Sequence, residues 1–270
     1  YCFASGPTNS MRGAAFLSGL DDAIVCDVGG TTADIGCLVN GFPREANNVV
    51  EVGGVRTLFR MPDLISIGLG GGTVVRENPL SVGPESVGFR LLEEAQVFGG
   101  SQLTLTDVAV ASGLMDVGDK NQISDIPETL IAAALAMAHQ KISVTVDHIK
   151  TDSKDVPMIA VGGGASLIPE KIPGISLVHR VPFHAVANAV GAAIAQISGE
   201  ADQVFQDFTR DDALAAAMEI AVENAVKSGA DRQSIKTIEM EDLPLAYLPG
   251  HAIRARVRVV GDIATRAKDS

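Results

Sequence analysis

Basic residues are scarce in this sequence of 270 residues. It carries 21 Lys and Arg against 33 Asp and Glu, so its formal net charge is -12 and its pI is about 4.8. Because neutralising nucleic-acid phosphates requires clustered Lys and Arg, this balance argues against a nucleic-acid partner. Apolar residues make up 46% of the chain and charged residues 20%, which is typical of a folded globular protein.

Cysteines are few and long apolar runs are absent. The three cysteines contain no CxxC pair, and their odd number leaves at least one thiol unpaired, which favours a reducing, cytoplasmic setting. The longest apolar run, near residues 130–138, is shorter than the roughly 18 residues of a membrane span. We therefore expect a soluble protein without a membrane partner. The chain opens on Tyr1 without a secretory pattern, so we also expect it to be part of a longer polypeptide.

The residue pattern predicts a mixed α/β protein. Helices are predicted at residues 11–20, 106–114, 127–150, 182–197 and 211–228. Strands are predicted at residues 23–27, 34–39, 49–52, 64–69, 157–161, 176–179 and 252–260, and Asn40-Gly41 indicates a tight hairpin turn. A boundary within residues 199–210 separates a first domain, 1–199, from a C-terminal segment of one helix plus strands, 200–270.

The most informative segment is the turn between the first two predicted strands. Gly29 and Gly30 let the backbone approach a ligand, so that successive N–H groups can point at an anion such as phosphate. Thr31 and Thr32 add hydroxyl donors beside them. A tight hairpin with threonines that only cap it is the alternative interpretation.

Two carboxylates bracket this turn. Asp27 and Asp34 supply hard oxygen atoms suited to a hydrated magnesium ion. Solvated aspartates are the alternative. The P-loop pattern GxxxxGK[ST] is absent, and residues 68–73 break the GxGxxG pattern at its last position, so neither a P-loop nor a Rossmann site is predicted.

A second glycine cluster strengthens the nucleotide interpretation. Gly162, Gly163 and Gly164 follow an apolar strand and precede a segment rich in small residues. The interpretation requires the bends after residues 28 and 161 to face a common cleft. For a third cluster, Gly70–Gly72, approach to a ligand and close packing of backbones are equally open.

In this order, the segments resemble the second half of the actin, Hsp70 and sugar-kinase ATPase superfamily. Within it, residues 5–199 are similar to the hydantoinase A and 5-oxoprolinase family. The motifs that carry the similarity are SGP at 5–7, DVGGTTAD at 27–34, PDLISIGLGGGT at 62–73, SVGPES at 81–86 and LTD at 105–107. The family's PGPACYG segment is replaced by VGFRLL at 87–92, which leaves the substrate open, and the family's first DxGGTxxD motif is missing.

The resemblance implies the C-terminal lobe of an actin-like, ribonuclease H-like ATPase that uses ATP and Mg²⁺. Residues 29–32 would cradle the β- and γ-phosphates, Asp27 and Asp34 would hold the metal and act in catalysis, and residues 162–164 would lie against adenosine. The implied reaction is the opening of a cyclic amide, such as a hydantoin or 5-oxoproline, through phosphorylation of its carbonyl. A non-catalytic nucleotide switch and a small-molecule kinase of the same superfamily are also compatible with these motifs.

The same resemblance implies partners for the chain. They are the cyclic amide, the missing N-terminal lobe, a hydantoinase B-like subunit and further copies in an oligomer. Without the other lobe, we expect the chain to be inactive alone and to bind ATP weakly.

The remaining reactive side chains are given structural interpretations. The histidines at 139, 148, 179, 184 and 251 are interpreted as solvated or capping residues, and Cys26 and Cys37 as small core residues. Arg254, Arg256 and Arg258 share one strand face, which we interpret as a solvated sheet edge, with anion binding as the alternative.

Overall fold

The structure is a computed structural model that describes residues 5–46, 50–52, 55–57, 62–245 and 252–264. Its helices are α1 (Ser5–Ser18), α2 (Leu91–Glu94), α3 (Leu105–Ala111), α4 (Glu128–Ile149), α5 (Ala187–Ala193) and α6 (Arg210–Lys227). Its strands are β1 (Ala23–Val28), β2 (Ala33–Val39), β3 (Phe42–Pro43), β4 (Val50–Val52), β5 (Val55–Thr57), β6 (Leu64–Ile67), β7 (Thr73–Glu77), β8 (Leu80–Ser86), β9 (Val156–Val161), β10 (Ile175–Arg180), β11 (Ile197–Phe205), β12 (Lys236–Pro244) and β13 (Ile253–Gly261). Two compact units divide the chain between Ala193 and Ile194.

A mixed sheet organises the first unit. Its strand order is β10-β9-β1-β2-β3, and β6 also pairs with β2. Strand β1 runs antiparallel to β2 and parallel to β9, which in turn runs parallel to β10. The predicted α/β class with N-terminal antiparallel hairpins is therefore confirmed. The predicted tight turn is present as well, since Asn40 and Gly41 have φ angles of 52° and 75° and join β2 to β3.

Alternate residues of β1 pack into two different hydrophobic clusters, as the period of a strand requires. Ile24, Cys26 and Val28 belong to the main cluster, which includes the buried side chains of α4. Ala23 and Val25 belong to the second cluster, which includes residues of α1. The sheet is thus covered by α4 on one face and by α1 on the other, and Asp27, by its parity, is on the α1 face.

Helix α4 differs from the sequence expectation about apolar runs. By length and composition alone, this helix is long and apolar enough to cross a membrane. The sequence pattern did not reveal it because polar residues at 139–141 interrupt the apolar run. A core helix meets the same criterion, and the buried residues of α4 recur every three or four positions, as in a helix packed on one side: Leu130, Ala134, Ala138, Ile142, Thr145, Val146 and Ile149.

The second unit is a three-stranded antiparallel sheet in the order β11-β13-β12 with α6 packed on it. The contact face of α6 is a stripe of fully buried alanines, Ala213, Ala217, Ala221 and Ala225. The chain divides before β11, whereas the sequence placed the boundary after residue 199. Residues 197–205 cannot be a linker because each of them pairs with β13.

The helix predicted at residues 182–197 is wrong in extent. Only α5, Ala187–Ala193, is α-helical, after a single 3-10 turn at His184–Val186. The N–H of Gly162 donates to the carbonyl of His184, which holds that residue in a turn, and Ile197 already belongs to a strand. Sequence reasoning also missed the hairpin of β7 and β8.

Candidate functional site

Asp27 and Asp34 form part of a polar row that crosses three strands. Asp27 of β1 lies directly opposite Asp34 of β2, and Asp34 lies opposite Ser66 of β6. Paired residues of antiparallel strands point to the same face, so all three belong to the α1 face. The Ser66 hydroxyl donates a hydrogen bond to Asp34 Oδ1. The row places two carboxylates side by side.

The electrostatics of Asp27 reflect this arrangement. Burial raises the pKa of Asp27 above its ordinary value of 3.8, a side-chain hydrogen bond with Ser10 lowers it, and the neighbouring charge of Asp34 raises it. Ser10 is buried on α1, the helix that covers this face. Like charges that face each other are destabilising unless a cation neutralises them. The pair therefore favours a bound cation.

The donor set fits magnesium better than metals that require several protein ligands. Among the residues that the structure describes, no group of three or more His, Cys, Asp or Glu side chains is placed to hold a metal ion. Mg²⁺ is typically bound by one or two carboxylates together with water and phosphate oxygens. Asp27 and Asp34 are such a pair, next to a turn able to receive phosphate.

The bends after residues 28 and 161 are in direct contact. The Gly164 N–H donates to the Val28 carbonyl at 2.8 Å. Gly162 has φ of 90°, and a Cβ atom built on it would lie 2.3 Å from Val28 O and 2.4 Å from Asp27 Oδ1. Only glycine fits this position without displacing the backbone or the carboxylate. The two bends are therefore neighbours, as the sequence interpretation required, but the residues that line the nearby cleft include Gly163 and none of residues 27–34, so a common cleft stays a prediction.

The third glycine cluster also packs on the Gly29–Thr32 turn. The N–H groups of Gly71 and Gly72 donate to the carbonyls of Gly29 and Gly30 at 3.0 and 2.7 Å. A Cβ on Gly70 would lie 2.6 Å from the carbonyl carbon of Gly30. For Gly70–Gly72, these contacts favour close packing of backbones over approach to a ligand.

The turn is closed by a hydrogen bond from the Gly29 N–H to the Thr32 carbonyl at 2.9 Å. The Gly29 N–H is therefore engaged within the turn, which differs from its expected role as a phosphate donor. Gly30, Thr31 and Thr32 are exposed. The part of the turn able to receive an anion is residues 30–32.

A cleft of about 650 Å³ adjoins the exposed Gly163. This volume is in the range of small-molecule sites. Leu114 and Val117 contribute apolar surface to its lining, and Ile168 and Pro169 contribute more.

Polar side chains that the sequence pattern did not single out also line the cleft. The Nδ1 atom of His184 lies 3.0 Å from the Gly162 carbonyl, so Nδ1 carries a proton and donates. His139 is partly buried, and burial lowers its pKa. Ser166 Oγ is buried and has no hydrogen-bond partner among the described residues. His139 and His184 both line the cleft, a position that no sequence pattern marked, and their interpretation as solvated or capping residues stays a prediction.

Two other sequence interpretations have clear outcomes. Cys26 is fully buried, and burial raises the pKa of its thiol, so it is a core residue; Cys37 is partly buried, with its pKa raised for the same reason. Arg256 does not lie at a sheet edge, because β13 is the central strand of its sheet. Its guanidinium lies among Glu200, Glu239 and Glu241.

Residues 1–119 match the family model of hydantoinase/oxoprolinase. The match covers less than half of the chain. The resemblance seen in the sequence is thus confirmed for the part that contains the carboxylate row and the Gly70–Gly72 cluster, while Gly162–Gly164 lie beyond the match.

The chain is also similar to three characterised proteins of this kind. Over 121 residues it is 28% identical to the acetophenone carboxylase gamma subunit of Aromatoleum aromaticum (strain DSM 19018 / LMG 30748 / EbN1), covering 42% of this chain and 16% of that protein. An acetone carboxylase in its nucleotide-free state superposes with a TM-score of 0.64 at 18% identity, covering 96% of this chain and 49% of that one. The ATP-dependent caprolactamase of Pseudomonas jessenii superposes with a TM-score of 0.66 at 17% identity, covering 98% and 50%.

These comparisons differ in what they establish. The two solved structures share the fold, and this chain spans about half the length of each. The chain spans a smaller part of the carboxylase subunit.

Proposed function

We propose that this chain forms the nucleotide-binding part of an ATP-dependent enzyme that phosphorylates the carbonyl oxygen of a cyclic amide and thereby opens the ring. The observation that carries the proposal is the meeting of two glycine turns beside Asp27, with the cleft next to Gly163. The family of residues 1–119 and the similarity in fold to a caprolactamase support the choice of substrate class.

The chemistry explains why such an enzyme needs ATP. An amide carbonyl is stabilised by resonance, and its nitrogen is a poor leaving group. Transfer of the γ-phosphoryl group to the carbonyl oxygen removes that resonance and makes the carbon open to attack by water. The catalytic contribution of the protein is mainly positioning and charge stabilisation.

Each part of the site has a role in this proposal. The exposed Gly30, Thr31 and Thr32 bind the phosphates through backbone N–H and hydroxyl groups. Asp27 and Asp34 would hold Mg²⁺ directly or through water, and the metal would supply neutralisation of the phosphate charge. The adenosine lies in the cleft against Gly163, and the proton on His184 Nδ1 fixes the Gly162 carbonyl beside it.

The complete enzyme requires further parts. The solved relatives are about twice as long as this chain. We infer that a second lobe, carrying the family's first DxGGTxxD motif, covers the other side of the nucleotide. A relative that is named as one subunit of a carboxylase supports a partner subunit. We further propose that this partner is hydantoinase B-like and that the assembly is oligomeric and cytoplasmic.

A second candidate function is the ATP-dependent carboxylation of a ketone. The sequence match to the acetophenone carboxylase subunit and the structural match to acetone carboxylase favour it. Both candidates use the same nucleotide site and differ in the organic substrate. The same site would also serve a small-molecule kinase or a non-catalytic nucleotide switch.

An oxygen-labelling experiment separates these functions. The purified protein, with its partner subunit where one is required, is given ATP and 5-oxoproline, hydantoin or caprolactam labelled with ¹⁸O in the carbonyl. Carbonyl phosphorylation followed by release of phosphate with that oxygen transfers the label to inorganic phosphate, which mass spectrometry detects. ATP use that requires bicarbonate and a ketone would identify a carboxylase. A stable phosphorylated product would identify a kinase, and ATP consumption without an organic product a switch.

Replacement of Asp27 tests the site itself. We expect Asp27→Ala to reduce Mg²⁺-dependent ATP turnover by about 100-fold or more, because the phosphate charge is no longer neutralised. Steady-state phosphate release by the full-length protein measures this effect. The control is Asp147→Ala, which removes an exposed carboxylate from α4. Turnover that is equal in the Asp27 variant and in the wild type would contradict the assignment.

A further inference from the structure

Thr106, at the start of α3, donates hydrogen bonds to the Gly70–Gly72 turn, and the proposed function gives this residue no role. The Gly71 carbonyl accepts two hydrogen bonds from Thr106, from its N–H at 2.8 Å and from its Oγ1 at 2.9 Å. Thr106 is 3% exposed, so this hydroxyl has no competing contact with bulk water. A Cβ on Gly71 would lie 2.8 Å from Thr106 Oγ1, which shows how closely the two segments approach.

Thr106 is itself held rigidly. Thr104 caps α3 through a capping box in which its side chain accepts from the Asp107 N–H while the Asp107 carboxylate accepts from the Thr104 N–H. Asp107 also accepts a hydrogen bond from the Val97 N–H at 2.6 Å, and its side chain is fully buried. The first turn of α3 therefore presents Thr106 from a fixed position.

Two planar peptide groups connect Thr106 to the Gly29–Thr32 turn. In a trans peptide the C=O and the following N–H point in opposite directions. Because the Gly71 carbonyl points to Thr106, the Gly72 N–H points the other way, where it donates to the Gly30 carbonyl at 2.7 Å. By the same geometry, the Thr31 N–H points away from Gly72.

We propose that Thr106 is a positioning residue for the phosphate groups of the nucleotide, because it fixes the direction of the Thr31 N–H through the peptide groups 71–72 and 30–31. The inference rests on the proposed nucleotide site. It adds that the Thr31 N–H, which donates to the anion, is oriented by α3, and that α3 is distant in sequence from the Gly29–Thr32 turn. Hydrogen bonds in such a chain polarise one another, which strengthens the terminal donor.

The test compares ligands with and without phosphates. Isothermal titration calorimetry on the full-length protein measures the affinity for ATP, tripolyphosphate and adenosine of the wild type, Thr106→Val and Thr106→Ser. We expect Thr106→Val to weaken ATP and tripolyphosphate by about three- to tenfold, as for one lost hydrogen bond, and to leave adenosine unchanged. Thr106→Ser retains the hydroxyl and keeps the wild-type affinities.

Thr145→Val is the matched control. Thr145 is also buried, at 5% exposure, but its hydroxyl donates to the Lys141 carbonyl within α4. We expect this variant to bind all three ligands as the wild type does. An equal loss of ATP and adenosine affinity in Thr106→Val would reveal a general structural role and overturn the proposal, as would wild-type affinity for ATP.

Failure of the inference is distinguishable from failure of the proposed function. A wild-type protein that binds neither ATP nor tripolyphosphate contradicts the nucleotide site itself. A wild-type protein that binds both, with an unaffected Thr106→Val variant, contradicts only the role of Thr106. If Thr106→Val does not fold, the amide resonance of Thr31 in the wild type decides: it must shift when tripolyphosphate is added, and an unchanged resonance overturns the proposal.

Discussion

Each unit of the molecule contains a row of charged side chains across neighbouring strands, and the two rows are built on opposite rules. In the first unit Asp27 and Asp34 face each other as like charges. In the second unit Arg256 stands between acidic residues of both neighbouring strands, Asp202 on β11 and Glu241 on β12. The second row neutralises itself, whereas the first leaves two like charges side by side.

The difference separates a row that is structural from one that we propose to be functional. Arg254 and Asp202 form a bidentate ion pair, and Arg256 lies 3.0 Å from Glu239, so the side chains of the second row satisfy one another. Evenly paired charges of this kind leave little for an anion to bind. The sequence showed only the three arginines on alternate positions. The acidic partners come from strands that are distant in sequence.

The largest effect on stability is expected at Gly162, whose backbone contacts Asp27 of the first row. Gly162→Ala places a Cβ 2.3 Å from Val28 O and 2.4 Å from Asp27 Oδ1 at φ of 90°. We expect the free energy of unfolding to fall by about 3 kcal/mol, measured by urea denaturation. Gly163→Ala is the control, since a Cβ there meets nothing within 4 Å, and it should change stability by less than about 0.5 kcal/mol. Equal stability of the two variants would contradict the close contact between the turns.

A smaller loss is expected from the second row. Arg256→Met removes the charge that separates Glu200, Glu239 and Glu241. We expect the free energy of unfolding to fall by about 1 kcal/mol, and by less in high salt, because the charges are only half-buried. The control is Arg232→Met, which removes an exposed arginine after β11 and α6. A destabilisation that does not depend on salt would show that packing, rather than charge, accounts for the row.

The smallest expected effect is an increase, rather than a decrease, in the free energy of unfolding. Asp27→Asn removes one of two like charges, so in metal-free buffer at pH 7 we expect the free energy of unfolding to rise by about 0.5 kcal/mol. Because the pKa of Asp27 is raised above 3.8 in the folded state, the wild type loses stability as pH rises from 3.8 through the folded pKa. The gain should therefore vanish below pH 3.8, with Asp147→Asn as the control. A loss of stability at pH 7 would show that the row is not under charge repulsion.

Much of the first unit was predictable because its signals are local. Short apolar runs predicted β1 as a buried strand and β2 as a second strand, and the Asn40-Gly41 pair predicted the turn that follows them. The aspartates were recognisable as a pair, since they bracket a short turn and must face each other in a hairpin. These inferences require only the geometry of neighbouring residues.

Other parts of the site were not predictable from local patterns. Ser10 has no sequence signal, because its meaning depends on α1 lying over the face that contains Asp27. His184 was assigned to a long helix, because its neighbours have helical spacing, but the hydrogen bond with Gly162 holds it in a turn. The hairpin of β7 and β8 was missed as well.

The sequence by itself determined the local chemistry of this protein: where the glycines permit tight turns, where carboxylates flank them, and which residues alternate in strands. Only the tertiary structure decided that the three glycine turns meet and that α3 contacts the Gly29–Thr32 turn through Gly71 and Gly72. It also decided that Arg254 and Arg256 of β13 lie beside acidic residues of the neighbouring strands. The reason is physical. Turn and strand preferences are set by nearby atoms, whereas contacts between distant segments depend on how helices and strands pack, which no short stretch of sequence specifies.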